Sequence, residues 1–279
     1  MLPLKATESD FIGRFREVIS DPLNLLIERV PMAGIVQGNE VFLHNGNRVP
    51  VTGDGAYYGA FSELLIINRG VHEPLEEYVF QEVLKKLRED PVMIELGAYW
   101  AHYSMWLKKT RPRATQIMVE PDPVCLAAGK SNFRRNGFEG EFINAAVAKG
   151  RFEIDGFFTA RNLGHLDILH ADIQGFEMQM LDAARTTLAG KKIDYLFIST
   201  HSQKLHGEVV GRLGEFGYRV EVSSDVDKDT TSFDGFVLAS SPAAKPIFRE
   251  FILFGRTKIA EGPVDRAISA VLAIRNGAA

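Results

Sequence analysis

The chain has 279 residues, 32 Lys and Arg against 36 Asp and Glu, and a single cysteine, Cys125. That length suits one large domain with an appendage, and the near balance of charge, with no block of one sign, argues against nucleic acid as the partner. The lone cysteine excludes an intrachain disulfide framework and a Cys-cluster metal site, and no apolar run nears the roughly 18 residues of a membrane span.

The opening residues, MLPLKATESDF, lack the apolar core of a signal peptide, so a soluble cytoplasmic protein is expected. Phe11, Ile12, Phe15, Val18 and Ile19 recur at helical spacing, and Asp21-Pro22 ends that helix. Between Ile35 and Val51 the turn pairs Gly38-Asn39 and Asn45-Gly46 separate short β-rich runs, which predicts small hairpins. Glu73-Pro74 opens a helix that runs to about Arg88, with Leu75, Tyr78, Val79 and Leu87 inward. Residues 1–90 thus read as an accessory cap of mixed α and β elements. Its segment Tyr57-Tyr58-Gly59-Ala60-Phe61 is expected to border an acceptor site.

From Pro91 the rhythm changes to alternating strand and helix. Val92-Met93-Ile94 is a buried strand, Glu95 and Gly97 sit where it must turn, and Ala101 to Lys109 is a helix. Such a turn lets backbone approach a ligand at the carboxyl end of the strand. A second strand ends at Glu120, 23 residues after Gly97 (120 − 97), where a carboxylate can accept both hydroxyls of a ribose. A nicotinamide dinucleotide and S-adenosylmethionine both fit this spacing. A dinucleotide needs further glycines where Tyr99 and His102 stand, so the methyl donor is favoured.

Asp122-Pro123 then caps a helix that stops at Asn136-Gly137, and Phe142 to Val147 is a third strand. Lys149-Gly150 turns into a hairpin arm over 151–159. Leu166 to Asp172 is a fourth strand, Gly175 to Ala184 a helix, and Ile193 to Ser199 a fifth strand. A helix to Phe216 and strands over 218–222 and 233–239 complete a doubly wound, mostly parallel sheet with helices on both faces over residues 91–241. Residues 242–279 form a helical extension whose inward face would be Val264, Ile268, Val271 and Leu272.

GVHEPLEEYVF (70–80), IELGAYWAHYS (94–104), VEPDP (119–123), INAAVA (143–148), LDILHADIQGFEMQML (166–181) and STHS (199–202) together resemble FkbM-type S-adenosylmethionine-dependent methyltransferases. The resemblance covers about residues 70–240 and implies a Rossmann-like class I methyltransferase sheet. It also implies O-methylation of hydroxyls on natural products, polyketides or sugars. The family shows Asp-x-Gly-Ala-Asn-x-Gly in its first motif; here Glu95, Tyr99 and Ala101 depart from it. In the fourth-strand motif, Lys-x-Asp-x-Glu-Gly-x-Glu, His170 and Gln174 depart while Asp172, Gly175 and Glu177 are kept.

The resemblance places Glu95, Gly97, Ala98, Tyr99, Glu120, Pro121, Asn144, Ala145 and Asp172 around the cofactor. Glu95 would orient its methionine end, and Asn144 and Ala145 would lie beside its adenine. On the residues alone, Asn144 equally reads as a turn cap, Asp172 as the cap of the next helix, and Glu177 as a complement to that helix dipole. Tyr99 or Trp100 could flank a sulfonium, a cation held over an aromatic face gaining about 0.5–2 kcal/mol. His201, just past the fifth strand, and Asp172 are the candidate proton acceptors, His201 with an ordinary pKa of about 6–7. His170, His206 and Cys125 read as structural. Asp172, Glu177 and His201 could also converge on a divalent metal, though no compact ligand motif is present, and the expected set of metal-binding residues is empty. The expected partner is a small hydroxylated molecule, with no nucleic acid and no membrane, and a homo-oligomer is left open. A cofactor-binding protein without turnover is the rival reading.

Overall fold

The computed structural model describes residues 8–57 and 62–276; Tyr58 to Phe61 of the expected acceptor border lie outside the described residues. Helix α1 (Glu8–Ser20) ends where the Asp21 carboxylate accepts the Leu23 amide at 2.9 Å and redirects the chain into a 3-10 turn, Pro22–Leu25. The two Gly/Asn turns produce an antiparallel three-stranded sheet of β1 (Val36–Gln37), β2 (Glu40–Phe42) and β3 (Arg48–Pro50). Helix α2 (Glu63–Ile67) follows, then α3 (Pro74–Leu84), which starts on the predicted proline and stops before Arg88. Arg88 instead forms a two-pronged pair with Asp167, at 3.0 and 3.1 Å, and Asp167 also takes the Val92 amide.

The alternating region gives β4 (Val92–Leu96), α4 (His102–Thr110), β5 (Thr115–Val119), α5 (Pro123–Arg135), β6 (Glu141–Ile143) and α6 (Ile154–Ala160). It continues through β7 (Leu166–Ala171), α7 (Glu177–Asp182), α8 (Arg185–Ala189), β8 (Ile193–Thr200), α9 (Gln203–Glu215), β9 (Arg219–Ser224) and β10 (Gly235–Ser240). The tail carries α10 (Arg256–Glu261) and α11 (Val264–Arg275). The seven strands from β4 onward order as β6-β5-β4-β7-β8-β10-β9, with β10 antiparallel to both neighbours. This is the doubly wound α/β sheet expected from the alternation.

Because side chains alternate across a strand, Ile94, Leu96, Leu169 and Ile198 join the core beneath α6–α9, whereas Met93, Ile168 and Phe197 face α3 and α4. A third cluster packs the small sheet and α2 against Trp100, Met105 and Phe133. Three further local expectations change. The third strand stops at Ile143, and Val147 makes only an isolated bridge to Phe152. The expected hairpin arm is helix α6, held because Ile154 and Phe158, four residues apart, are both buried. The expected inward face of α11 splits: Val271 packs with Ala267 and Ile274, while Val264, Ile268 and Leu272 are exposed.

One contact fixes the strand ends. Gly97, at φ +73°, lies so close to β7 that an added Cβ would sit 1.8 Å from the Asp172 carbonyl oxygen. The Asp172 amide in turn donates to the Leu96 carbonyl at 3.0 Å. Both the backbone conformation and the space therefore demand glycine. Gly97→Ala is expected to destabilise the chain by about 3 kcal/mol or more, through overpacking against backbone that cannot yield. The urea midpoint measures it; a shift worth less than about 1 kcal/mol would contradict this packing.

Candidate active site

The same alternation that buries Met93, Ile168 and Phe197 brings Glu95, His170 and Ser199 to the α3 side, two residues further along their strands. Strand register sets Glu95 opposite His170, and His170 opposite Phe197. Glu76 of α3 lies over them, its carboxylate 2.5 Å from His170 Nε2 and accepting the Ser199 hydroxyl at 3.2 Å. Glu95 accepts the Ser104 amide at 3.2 Å, and burial raises its pKa against that stabilisation.

Two adjoining cavities open at the carboxyl ends of the strands. The first, about 310 Å³, is polar and includes Glu73, Glu76, Glu95, Asp172, His201 and Asp234 in its lining. The second, about 580 Å³, has apolar walls at Val147, Ile173 and Phe176, with Glu120 at its edge. Gly97, Tyr99, Asp172 and Gln174 line both, so the two form one cleft. Glu120 accepts the Tyr99 and Asp122 amides, each at 3.0 Å, one on each oxygen. Each oxygen keeps a further acceptor site.

His201 is the electrostatic centre of the polar half. Its Nδ1 lies 2.8 Å from Glu177, and its Nε2 lies 3.0 Å from Asp172 and 3.5 Å from Asp234. Burial opposes the charged ring, but the bonds to Asp172 and Glu177 and the Asp234 charge outweigh it, so the pKa is pushed up to about 10. This corrects the expectation of a base titrating at 6–7: at neutral pH His201 is an imidazolium. Asp172, despite burial, is held below the usual carboxylate range by the His201 hydrogen bond and charge. Asp234 is raised to about 7, by burial first and then by the Asp172 charge, with His201 pulling the other way. Burial, reinforced by Glu76, Asp172 and Asp234 and opposed by His72, pushes Glu73 up to about 8.

Of the sequence-predicted residues, Glu95, Gly97, Ala98, Tyr99, Glu120, Pro121, Asp172 and His201 all line the cleft. Asn144 and Ala145 do not; Ala146 and Val147 take that place. Asn144 is a turn staple, its amide donating to the Glu120 and Pro121 carbonyls at 2.9 Å each. Asp172 does not cap α7, which has no side-chain cap, and Gln174 donates to it at 3.0 Å. Glu177 is fully buried against the far nitrogen of His201. Any cation on Nε2 would therefore meet Asp172 and Asp234, whose ligand atoms and that of His201 lie within 4.8 Å of one another, rather than Glu177. Trp100 and Tyr57 line the polar half, and Cys125 the apolar half, its thiol raised to about 11 by burial.

Sequence reasoning missed Asp234, Glu76 and Arg14. Asp234 faces His201 because antiparallel β10 pairs Gly235 with Thr200, a register no local pattern announces. Arg14 of α1 lines the polar cavity and donates to the Phe233 carbonyl at 3.1 Å, which brings the accessory segment over the cleft. Tyr99 and Ala101, the two departures in the loop, both hold positive φ, 39° and 62°, where a glycine would be easier. Each such residue costs roughly 1–3 kcal/mol and persists only where the surroundings enforce it.

Several solved structures align with part of the chain. Precorrin-6y C5,15-methyltransferase from Geobacter metallireducens GS-15 aligns at 15% identity over 60% of this chain and 86% of that chain, with a TM-score of 0.44. M. capricolum TrmK, solved with S-adenosyl-homocysteine, aligns at 12% identity over 68% of this chain and 80% of that one, with a TM-score of 0.42. An O-methyltransferase family protein from Burkholderia thailandensis aligns at 14% identity over 60% of this chain and 55% of that one, also at 0.42. No curated protein sequence matches the chain. The model of the methyltransferase FkbM domain matches residues 73–220, more than half of the chain, and that span holds β4 to β8 and every cofactor-side residue of the cleft named above. On that match, and with the seven-stranded class I sheet, this chain belongs to the FkbM methyltransferase family.

Proposed function

We propose that the chain is an S-adenosylmethionine-dependent O-methyltransferase acting on a hydroxyl of a small metabolite of the polyketide, natural-product or sugar type. One observation carries the reading: an apolar cavity edged by Glu120 runs directly into a polar cavity holding Asp172, His201 and Asp234. The donor set fits the cofactor. Val147, Ile173 and Phe176 would flank its base, Glu120 would accept its ribose hydroxyls, and the carboxylates of the polar half would face its cationic end. When bound, S-adenosylmethionine supplies a methyl group already activated by a sulfonium.

The protein's remaining tasks are alignment and removal of one proton. Asp234, with a pKa of about 7, is poised to accept the hydroxyl proton, while Asp172 is too acidic to do so well. His201, locked between Asp172 and Glu177, presents a fixed positive charge to the oxygen as it loses that proton. Tyr57, Trp100 and Arg14 close the polar half to a small acceptor.

Transfer of labelled methyl groups to a panel of hydroxylated metabolites tests the reading; label moving only to nitrogen, carbon or sulfur would overturn it. Glu120→Ala should weaken cofactor binding by roughly 1.5–3 kcal/mol, the scale of hydrogen bonds to a charged group. Unchanged affinity in calorimetry would remove Glu120 from the ribose role. The pH dependence of kcat should be bell-shaped. It should rise through about 7 as Asp234 ionises and fall near 10 as His201 loses its proton. Asp234→Asn should lower kcat by roughly 10²–10⁴-fold and abolish the acid limb. An acid limb that persists in that variant would assign the proton to another group.

A further inference from the structure

At the inner wall of the polar cavity, where α3 and α4 meet the small sheet, lies a second cluster that the transfer chemistry does not use; of its members only His102 lines the cavity. His44 comes from the β2–β3 loop, Glu77 from α3, and His102 is the first residue of α4; none exposes more than 1% of its side chain. His44 Nε2 is 2.9 Å from Glu77 Oε2, and His102 Nε2 is 3.9 Å from Glu77 Oε1. One ligand atom from each of the three lies within 4.8 Å of the others. Aromatic rings enclose the group: the Trp106 indole meets His44 edge-on at 4.3 Å, and Trp100 stacks on His102 at 5.0 Å.

An ion pair alone does not explain these side chains. Glu77 Oε1 is already occupied: His72 Nδ1 lies 2.6 Å away, and the His72 and Glu73 amides donate to it at 2.8 and 3.1 Å. Both ring nitrogens of His102 are buried with no hydrogen-bond partner among the described residues, and Glu77 Oε2 faces His44 Nε2 alone. A buried polar atom left unmade costs about 1–3 kcal/mol, and such atoms in a native fold call for an ion or a water. Salt bridging accounts for His44 and His72 against Glu77, and leaves His102, which also lines the polar cavity, without a polar side chain at hydrogen-bond distance among the described residues.

We infer that His44, Glu77 and His102 hold one divalent transition-metal ion, zinc by the chemistry of the donors, pinning the small sheet to α3 and α4. Two imidazoles and a carboxylate are a standard zinc donor set, with metal–ligand distances of about 2.0–2.2 Å and tetrahedral separations near 3.3 Å. His44 Nε2 already lies 2.9 Å from Oε2, the ligating oxygen, and with one ligand atom of each residue within 4.8 Å of the others, binding requires a side-chain movement that draws His102 inward. His72 holds Glu77 by its other oxygen, the kind of outer hydrogen bond that orients a metal-ligating group. The site is independent of the proposed methyl transfer: it shares no residue with the Asp172, His201 and Asp234 group.

The test is metal analysis of the full chain as purified, followed by chelator stripping and titration with Zn²⁺ and with Co²⁺ as a spectroscopic probe. One equivalent should bind, with Co²⁺ giving the intense visible bands of a four-coordinate nitrogen and oxygen site, and with a raised melting temperature. Glu77→Gln and His102→Ala should each weaken binding more than about 100-fold, beyond the loss expected for a residue that only orients a ligand. Asp234→Asn should leave binding unchanged. A stripped wild-type chain that is folded by circular dichroism yet takes up neither ion would overturn the inference. So would binding lost in Asp234→Asn and kept in Glu77→Gln. The wild-type titration stands without any variant, so a variant that fails to fold leaves the test decisive.

Discussion

The cleft depends on the approach of Gly97 to the Asp172 carbonyl, a distance no side chain could tolerate. That approach draws the ends of β4 and β7 together and lets the following loop cross above them. The Gly97 and Ala98 amides both donate to the Val119 carbonyl, and the Tyr99 amide to the Glu120 carboxylate, so the floor of the cleft is tied by backbone across three strands. A floor made this way tolerates changed side chains. Tyr99 and Ala101 depart from the family pattern and still hold the left-handed conformations the loop requires.

Above that floor the design is electrostatic. Glu73, Glu76, Glu95, Asp172 and Asp234 surround one cavity, and burying so many carboxylates is costly unless each is paired or neutralised. Both solutions occur. His201 and His170 pair with Asp172 and Glu76, whereas burial and mutual repulsion push Glu73 and Asp234 up to about 8 and 7. Protonated carboxyls near neutrality give the cavity a store of negative charge that an entering cation draws out. The same groups supply a proton acceptor of suitable strength, which an imidazole clamped by two carboxylates does not.

What was legible in the sequence is what local pattern encodes. The short apolar runs, the Pro and Gly punctuation and the acid at Glu120 located the parallel strands and most of the cofactor side of the cleft. What was not legible comes from long-range docking. Asp234 acts through its register opposite β8, Glu76 through the packing of α3 over three strand ends, and Arg14 through α1 lying across the cleft. The pKa of His201 was misjudged for the same reason, since all three of its carboxylate neighbours lie more than 20 residues away in sequence. Helix α6 read as a hairpin arm because its apolar spacing is short and interrupted by Gly156, and the buried pair Ile154 and Phe158 decides it only once the sheet exists to cover them. In α11 the apolar stripe and the docked face differ, because the neighbours available select Ala267, Val271 and Ile274.

The central claim is that the two cavities form one cofactor cleft whose reacting end lies among partly protonated carboxyls. Calorimetric titration with S-adenosylmethionine and S-adenosylhomocysteine between pH 6 and 8, in buffers of different ionisation enthalpy, tests it most directly. The account predicts that both bind. S-adenosylmethionine, which alone carries the sulfonium, should gain more affinity as pH rises and release protons as Glu73 and Asp234 ionise. Absence of binding by either ligand, or pH trends that are the same for both, would contradict it.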